Sequence, residues 1–137
     1  MSHLIPIDAD TFVAGQILPA EVAEAAALGV TMIVNNRPDG EEPGQPAGEA
    51  IRAAAEAAGL NYRHIPVDGG FSQGQVEEMA EALEQAEGKV LAFCRSGTRS
   101  TYLWALARAS QGVDGNTLFA QAAAAGYDLS PLRQYLE

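Results

Sequence analysis

The chain is poor in the residues that build metal centres and disulfide frameworks. Its 137 residues include one cysteine, one tryptophan and two histidines. A lone cysteine makes no internal disulfide, which fits a reducing cytoplasm. The two histidines, His3 and His64, stand far apart, and there is no HxHxD-type cluster, so no metal or cofactor is expected. Cations are scarce as well: 8 Lys and Arg face 18 Asp and Glu, for a net charge of -10. A field of that sign repels nucleic acid and anionic membranes, so neither is expected as a partner. No apolar run approaches the ~18–20 residues needed to span a bilayer. The start, "MSHLIPIDAD", has neither the basic opening nor the apolar core of a secretory leader.

What is present is the composition of a globular protein, 47% apolar and 19% charged, at a length suited to one domain over residues 1–137. Short β-like runs alternate with helical patterns. "TFVAG" and the nearly all-apolar "VTMIVN" read as strands. Between them "PAEVAEAAALG" opens with Pro19 and closes with Gly29, the order expected at helix ends. The Pro-, Gly- and Glu-rich "NRPDGEEPGQPAG" is a surface loop. "EAIRAAAEAAG" is a helix stopped by Gly59, "LNYRHIPV" a third strand and "DGGF" a turn. Ser72 and Gln75 have capping-box spacing at the start of "SQGQVEEMAEALEQAEG". "KVLAF" is a fourth strand, followed by a helix from about Ser100 to Ser110. A helix in "NTLFAQAAAAG" and a short terminal one after Ser130-Pro131 complete the chain. The alternation predicts a single α/β domain: a central, mostly parallel sheet of four to five strands flanked by helices.

The cysteine falls at a telling place, in "KVLAFCRSGTRS". Sites in such sheets form beyond the carboxyl ends of strands, where the next helix offers free N–H groups. Cys94 is delivered there. Ser96, Gly97 and Thr98 are small, and Gly97 permits the twist that turns successive amides inward. Arg99 can fold its planar fork over the loop and bind two oxygens of an anion. Cysteines at helix N-termini beside cations ionise more readily than free thiols, which predicts a nucleophile at Cys94, open to solvent. A lone cysteine beside an apolar strand is otherwise a small core residue. That alternative gives no reason for two arginines, a glycine and three hydroxyl residues in the next six positions.

"CRSGTRS" resembles the cysteine loop of cysteine-dependent phosphatases. The order in "IPVDGGFSQGQVEEMAEALEQAEGKVLAFCRSGTRS" is similar to that of dual-specificity phosphatases: an aspartate loop, a helix, a strand, then the cysteine loop and a helix. With "VAGQILPAEVAEAAALGVTMIVNNRPDGEE", the chain resembles the phosphatase-like domain of the beta-lactamase hydrolase-like family. The resemblance implies a dual-specificity-phosphatase-like fold, with Cys94 as nucleophile and Arg99 as oxyanion holder. It also implies Asp68 as general acid, and Ser100 as the hydroxyl that helps the thiolate leave. Asp68 also reads as a turn former, and Ser100 as a helix cap.

Two features depart from that pattern. Four residues separate Cys94 from Arg99, one fewer than in those phosphatases, and Phe93 stands where a histidine usually precedes the cysteine. The pattern Cys, Arg, any, Gly, any, Arg is similar to the rhodanese loop. A shorter loop offers one amide fewer, suiting a single extra sulfur better than a tetrahedral phosphate. On loop length the expected activity is therefore a rhodanese-type sulfurtransferase. Cys94 would take sulfur from thiosulfate or a persulfide and carry it as a persulfide. The alternatives are a cysteine-dependent phosphatase, passing through a Cys94 phosphocysteine, and a non-catalytic oxyanion-binding module. Relatives of this domain occur fused to, or encoded near, persulfide dioxygenases, which implies such an enzyme as a partner.

Around the loop, Arg95, Ser96, Gly97, Thr98 and Ser100 are expected to bind the anionic substrate, with Arg95 pointing outward. Arg37 either steers that anion or pairs with Asp39 or Glu41. Arg63 and His64 are expected to face solvent or lie at the sheet rim. Trp104 with Tyr102, Leu103 and Leu106 is expected to pack a core helix. Glu77, Glu78, Glu81 and Glu84 should form a solvated face.

Overall fold

The computed structural model describes residues 3–136. A five-stranded sheet in the order β1-β2-β5-β3-β4 forms the middle layer. The strands are β1 (Ile5–Asp8), β2 (Thr11–Ala14), β3 (Val30–Asn35), β4 (Asn61–His64) and β5 (Lys89–Phe93). All neighbours pair in parallel except β1 with β2. The expected mostly parallel α/β sheet is present, at the upper strand count. The strand absent from that expectation is β1, which contains Pro6. An edge strand tolerates proline because one of its sides needs no ladder donor.

Burial on both faces explains the apolar runs. Along β5, Val90 and Ala92 pack with α3 (Gln73–Gln85), α4 (Thr98–Ser110) and α5 (Gly115–Ala124). Leu91 and Phe93 pack on the other face with α1 (Val22–Ala27) and α2 (Gly48–Ala57). Phe93 is wholly buried there, so its ring fills the α1–α2 layer. A short helix, α6 (Arg133–Leu136), ends the described chain. Among the described residues no helix is long and apolar enough to cross a membrane.

Local rules held at several boundaries. Ser72 accepts from Gln75 N at 3.1 Å, and Gln75 Oε1 accepts from Ser72 N at 2.8 Å, completing the capping box. Trp104 and Leu103 are fully buried, and the indole Nε1 donates to Asp8 at 2.8 Å. Glu77, Glu78, Glu81 and Glu84 are exposed. Arg63, at the sheet rim, donates to Glu81 at 2.7 Å. The helix after the cysteine begins at Thr98 rather than Ser100, because Gly97 takes the N-cap position.

Candidate active site

The central strand, β5, ends directly at the cysteine. Cys94 N donates to Ala14 O on one side, and Asn36 N donates to Phe93 O on the other, at 3.3 and 2.8 Å. The sulfur is thus placed by both neighbouring strands. Gly15 follows β2, and a Cβ there would stand 2.9 Å from Arg95 O, so only a glycine lets this strand end pass so near the loop. Arg95 O accepts from Gln16 N at 3.2 Å.

Within the loop, Gly97 adopts φ +90° and its N–H donates to Cys94 Sγ at 3.1 Å. The inward amide expected at Gly97 is present. Cys94 itself is fully buried, which corrects the expectation of a sulfur open to solvent. It lies at the floor of a closed loop rather than at its rim. Ser96 and Thr98 bond each other through their hydroxyls at 3.1 Å.

Arg99 carries the most informative geometry. Nη1 donates to Glu41 Oε2 and to Val67 O, each at 2.8 Å, and Nη2 donates to Glu41 Oε1 at 2.9 Å. A guanidinium has five N–H groups, and these bonds use three. The pair that remains, on Nε and Nη2, forms the side edge of the fork, which matches two oxygens of a tetrahedral anion. Glu41 first, and the nearby Cys94 after it, raise the Arg99 pKa above its ordinary value.

Glu41 in turn accepts from Arg37 Nε at 2.9 Å. Arg37 is buried, and its other nitrogens donate to Gln16 and Glu42 at 3.0 and 2.7 Å. Burial opposes its charge, but the two glutamates outweigh it and raise its pKa. Arg37 therefore pairs with Glu41, the second of the roles open to it, and with Glu42 rather than Asp39. Each of its three nitrogens bonds a protein group, and the side chain is buried. Asp39 accepts from Gly48 N at 2.7 Å. Arg95 points outward, half-exposed or more, and meets Glu42 at 3.1 Å. Ser100 is buried and donates to Asn36 Oδ1 at 2.8 Å, while Asn36 Nδ2 donates to Ile65 O at 2.9 Å. Its hydroxyl proton ties α4 to the end of β3 rather than capping the helix.

Asp68 is exposed on the segment after β4. Val67, immediately before it, is fixed at both polar atoms: N donates to Asn36 O at 3.0 Å, and O accepts from Arg99. The aspartate loop therefore stands at the edge of the cysteine loop. Of the two histidines, His3 contacts Glu21, and His64 contacts Arg37 O.

Glu41, Asn36 and Tyr127 belong to this site, and sequence reasoning gave none of them a role there. Glu41 was legible only as a partner for Arg37 in "RPDGEE". Tyr127, whose hydroxyl donates to Ser96 O at 3.0 Å, lies 31 residues from the serine in sequence and carried no signal.

The Glu41 carboxyl is held down to about 2 from an ordinary 4.5, chiefly by Arg99, with burial opposing and Arg37 assisting. A depressed folded-state pKa gives stability that is present above 4.5 and lost as pH falls towards about 2. Unfolding measured across that window should show a steeper acid loss in the wild type than in Glu41→Gln. Parallel curves would mean that the carboxylate is not held by this pairing.

Comparison with known proteins identifies the family. The family model for the beta-lactamase hydrolase-like protein, phosphatase-like domain, matches residues 4–111. A beta-lactamase hydrolase-like protein of Agrobacterium fabrum is 36% identical over 127 residues, covering 91% of this chain and 30% of the relative. The chain thus spans about a third of the length of the curated relatives it matches. Among solved structures, a candidate phosphatase from Neisseria meningitidis z2491 is 34% identical, with a TM-score of 0.85 over 100% of this chain and 98% of its own. TpbA of P. aeruginosa is 21% identical, with a TM-score of 0.67 over 97% of this chain and 80% of its own. That likeness concerns the fold. The match across the cysteine loop, the sheet and both helical layers places the chain in the family of phosphatase-like domains of beta-lactamase hydrolase-like proteins.

Proposed function

We propose that the chain is a cysteine-dependent phosphatase acting on phosphate monoesters. The observation that carries this reading is the placement of Arg99 beside Cys94, with its fork oriented by Glu41 and Val67. Glu41 and Val67 take three of its N–H groups, and the side edge that they leave lies beside Cys94. Two oxygens of a transferring phosphoryl group suit that edge. The Cys94 thiolate attacks phosphorus, the bond to the ester oxygen breaks, and Asp68 gives that oxygen its proton. Water then attacks the phosphocysteine, Asp68 takes its proton, and the thiolate departs with inorganic phosphate released. The relatives and the 34% identical structure support a phosphatase rather than the sulfurtransferase expected from loop length.

Sulfur transfer stays as the second reading because of the four-residue spacing between Cys94 and Arg99. A persulfide dioxygenase partner belongs to that reading. One preparation assayed with an aryl phosphate and with thiosulfate plus cyanide separates the two. Phosphate release is expected, and Asp68→Asn should lower kcat by about 10²-fold on a poor leaving group, with less effect on a good one. Sulfur transfer without phosphate release would reverse the order. Binding of phosphate with neither turnover would leave only an oxyanion-binding module.

A further inference from the structure

Ser96 and Gly97 share one peptide group, and both of its polar atoms are held. The Gly97 N–H donates to Cys94 Sγ at 3.1 Å, and the Ser96 carbonyl accepts from the Tyr127 hydroxyl at 3.0 Å. In a trans peptide the N–H and C=O point in opposite directions, and no peptide bond among the described residues is cis. A carbonyl anchored outward therefore aims the amide inward. Turning that peptide about its flanking dihedrals breaks both bonds together.

The anchor acts beside the glycine of the loop. Gly97, at φ +90°, occupies a region that glycine enters and leaves at little cost. A side chain there would collide with the Tyr127 hydroxyl, so the glycine also makes room for the phenol to approach. On its far side, Gly97 O is fixed by Thr101 N at 2.9 Å and Thr101 Oγ1 at 2.8 Å. The 96–97 peptide is the link between this fixed helix start and the sulfur.

Tyr127 is itself firmly aimed. It follows α5 in a Schellman arrangement: Tyr127 N donates to Ala122 O at 2.8 Å, and Gly126 N to Ala123 O at 3.0 Å. The next carbonyl, of Asp128, accepts from the Tyr102 hydroxyl of α4 at 3.2 Å. The backbone is thus tied on both sides of the tyrosine. Burial, and after it the charge of Cys94, push the phenol pKa up, so it keeps its proton and remains a donor.

We propose that Tyr127 is a positioning residue of the cysteine loop, whose hydroxyl anchors the Ser96 carbonyl and so keeps the Gly97 amide directed at the Cys94 sulfur. This rests on the reading of Cys94 as the nucleophile of a phosphatase. The test is Tyr127→Phe in the full chain, which keeps the ring and removes the hydroxyl. Two rates are measured: turnover of p-nitrophenyl phosphate, and carboxymethylation of Cys94 by iodoacetate at neutral pH, followed by intact mass.

The variant should lose about tenfold in kcat with KM nearly unchanged, and about tenfold in alkylation rate, the scale of one hydrogen bond. Tyr102→Phe is the control, since it loosens the same segment through Asp128 without touching Ser96. It should leave both rates near wild type. Equal losses in the two variants would assign the effect to segment stability and overturn the proposal, as would a Tyr127→Phe protein with wild-type rates. A wild type that releases no phosphate would sink the phosphatase reading alone, because the alkylation comparison still tests the anchor.

Discussion

Cys94→Ser should fold normally and release phosphate from an aryl ester more slowly than wild type by on the order of 10⁴-fold or more. The serine oxygen occupies nearly the same volume, and the Gly97 N–H that bonds the sulfur at 3.1 Å keeps an acceptor. The Gly97 donor is therefore not stranded, and the fold loses little. The chemistry loses far more, because a hydroxyl in that place is neither ionised nor as nucleophilic as a thiolate. Initial rates, with thermal unfolding as the control for folding, check the result. A variant retaining a tenth of the wild-type rate would show that turnover does not pass through residue 94. The same variant should take up no sulfur from thiosulfate, so it bears on both activities considered for the chain.

Arg99→Lys should cost about 10²–10³-fold in kcat/KM, the scale of losing a preorganised oxyanion donor. Lysine keeps the charge, so a loss this large would be due to geometry. An ammonium has no side edge of two parallel donors, and it cannot hold Glu41 end-on while facing a substrate. The three bonds that fix the fork, two to Glu41 and one to Val67 O, would be replaced by at most one or two. Competition by inorganic phosphate provides the second readout: its inhibition constant should rise along with the loss of turnover. A lysine variant with near-normal turnover would mean that charge alone suffices, and that the Glu41 pairing has no part in orienting the group.

The pattern of bonds around Arg99 also bears on how an acidic chain would hold the anion proposed for it. Net charge is -10, yet Glu41 and Glu42 face the buried Arg37 as well as the loop arginines. The two glutamates are largely neutralised by cations already in place. Their effect near the cysteine is to orient guanidinium groups more than to repel a phosphate.

Much of this was written locally in the chain. The strand and helix alternation, the Ser72–Gln75 box and the delivery of Cys94 by "KVLAF" follow from periodicity, caps and chain order, which act over a few residues. The same holds for Gly97, whose left-handed conformation is a property of its own backbone. What folding alone decided lies between residues far apart. Arg37 and Arg99 are both arginines in promising places, but Glu41 bonds Arg37 across four positions and Arg99 across 58. Only the packed loop shows that Arg37 is buried away from the cysteine loop's opening while Arg99, partly exposed, lies beside Cys94. Asn36 joins Ser100 across 64 positions, and Tyr127 joins Ser96 across 31. Neither pairing leaves a trace in local pattern, because a hydrogen bond depends on distance in space and is indifferent to distance along the chain. The burial of Cys94 belongs to the same class: a strand end becomes the floor of a site only when its neighbouring strands and the loop close around it.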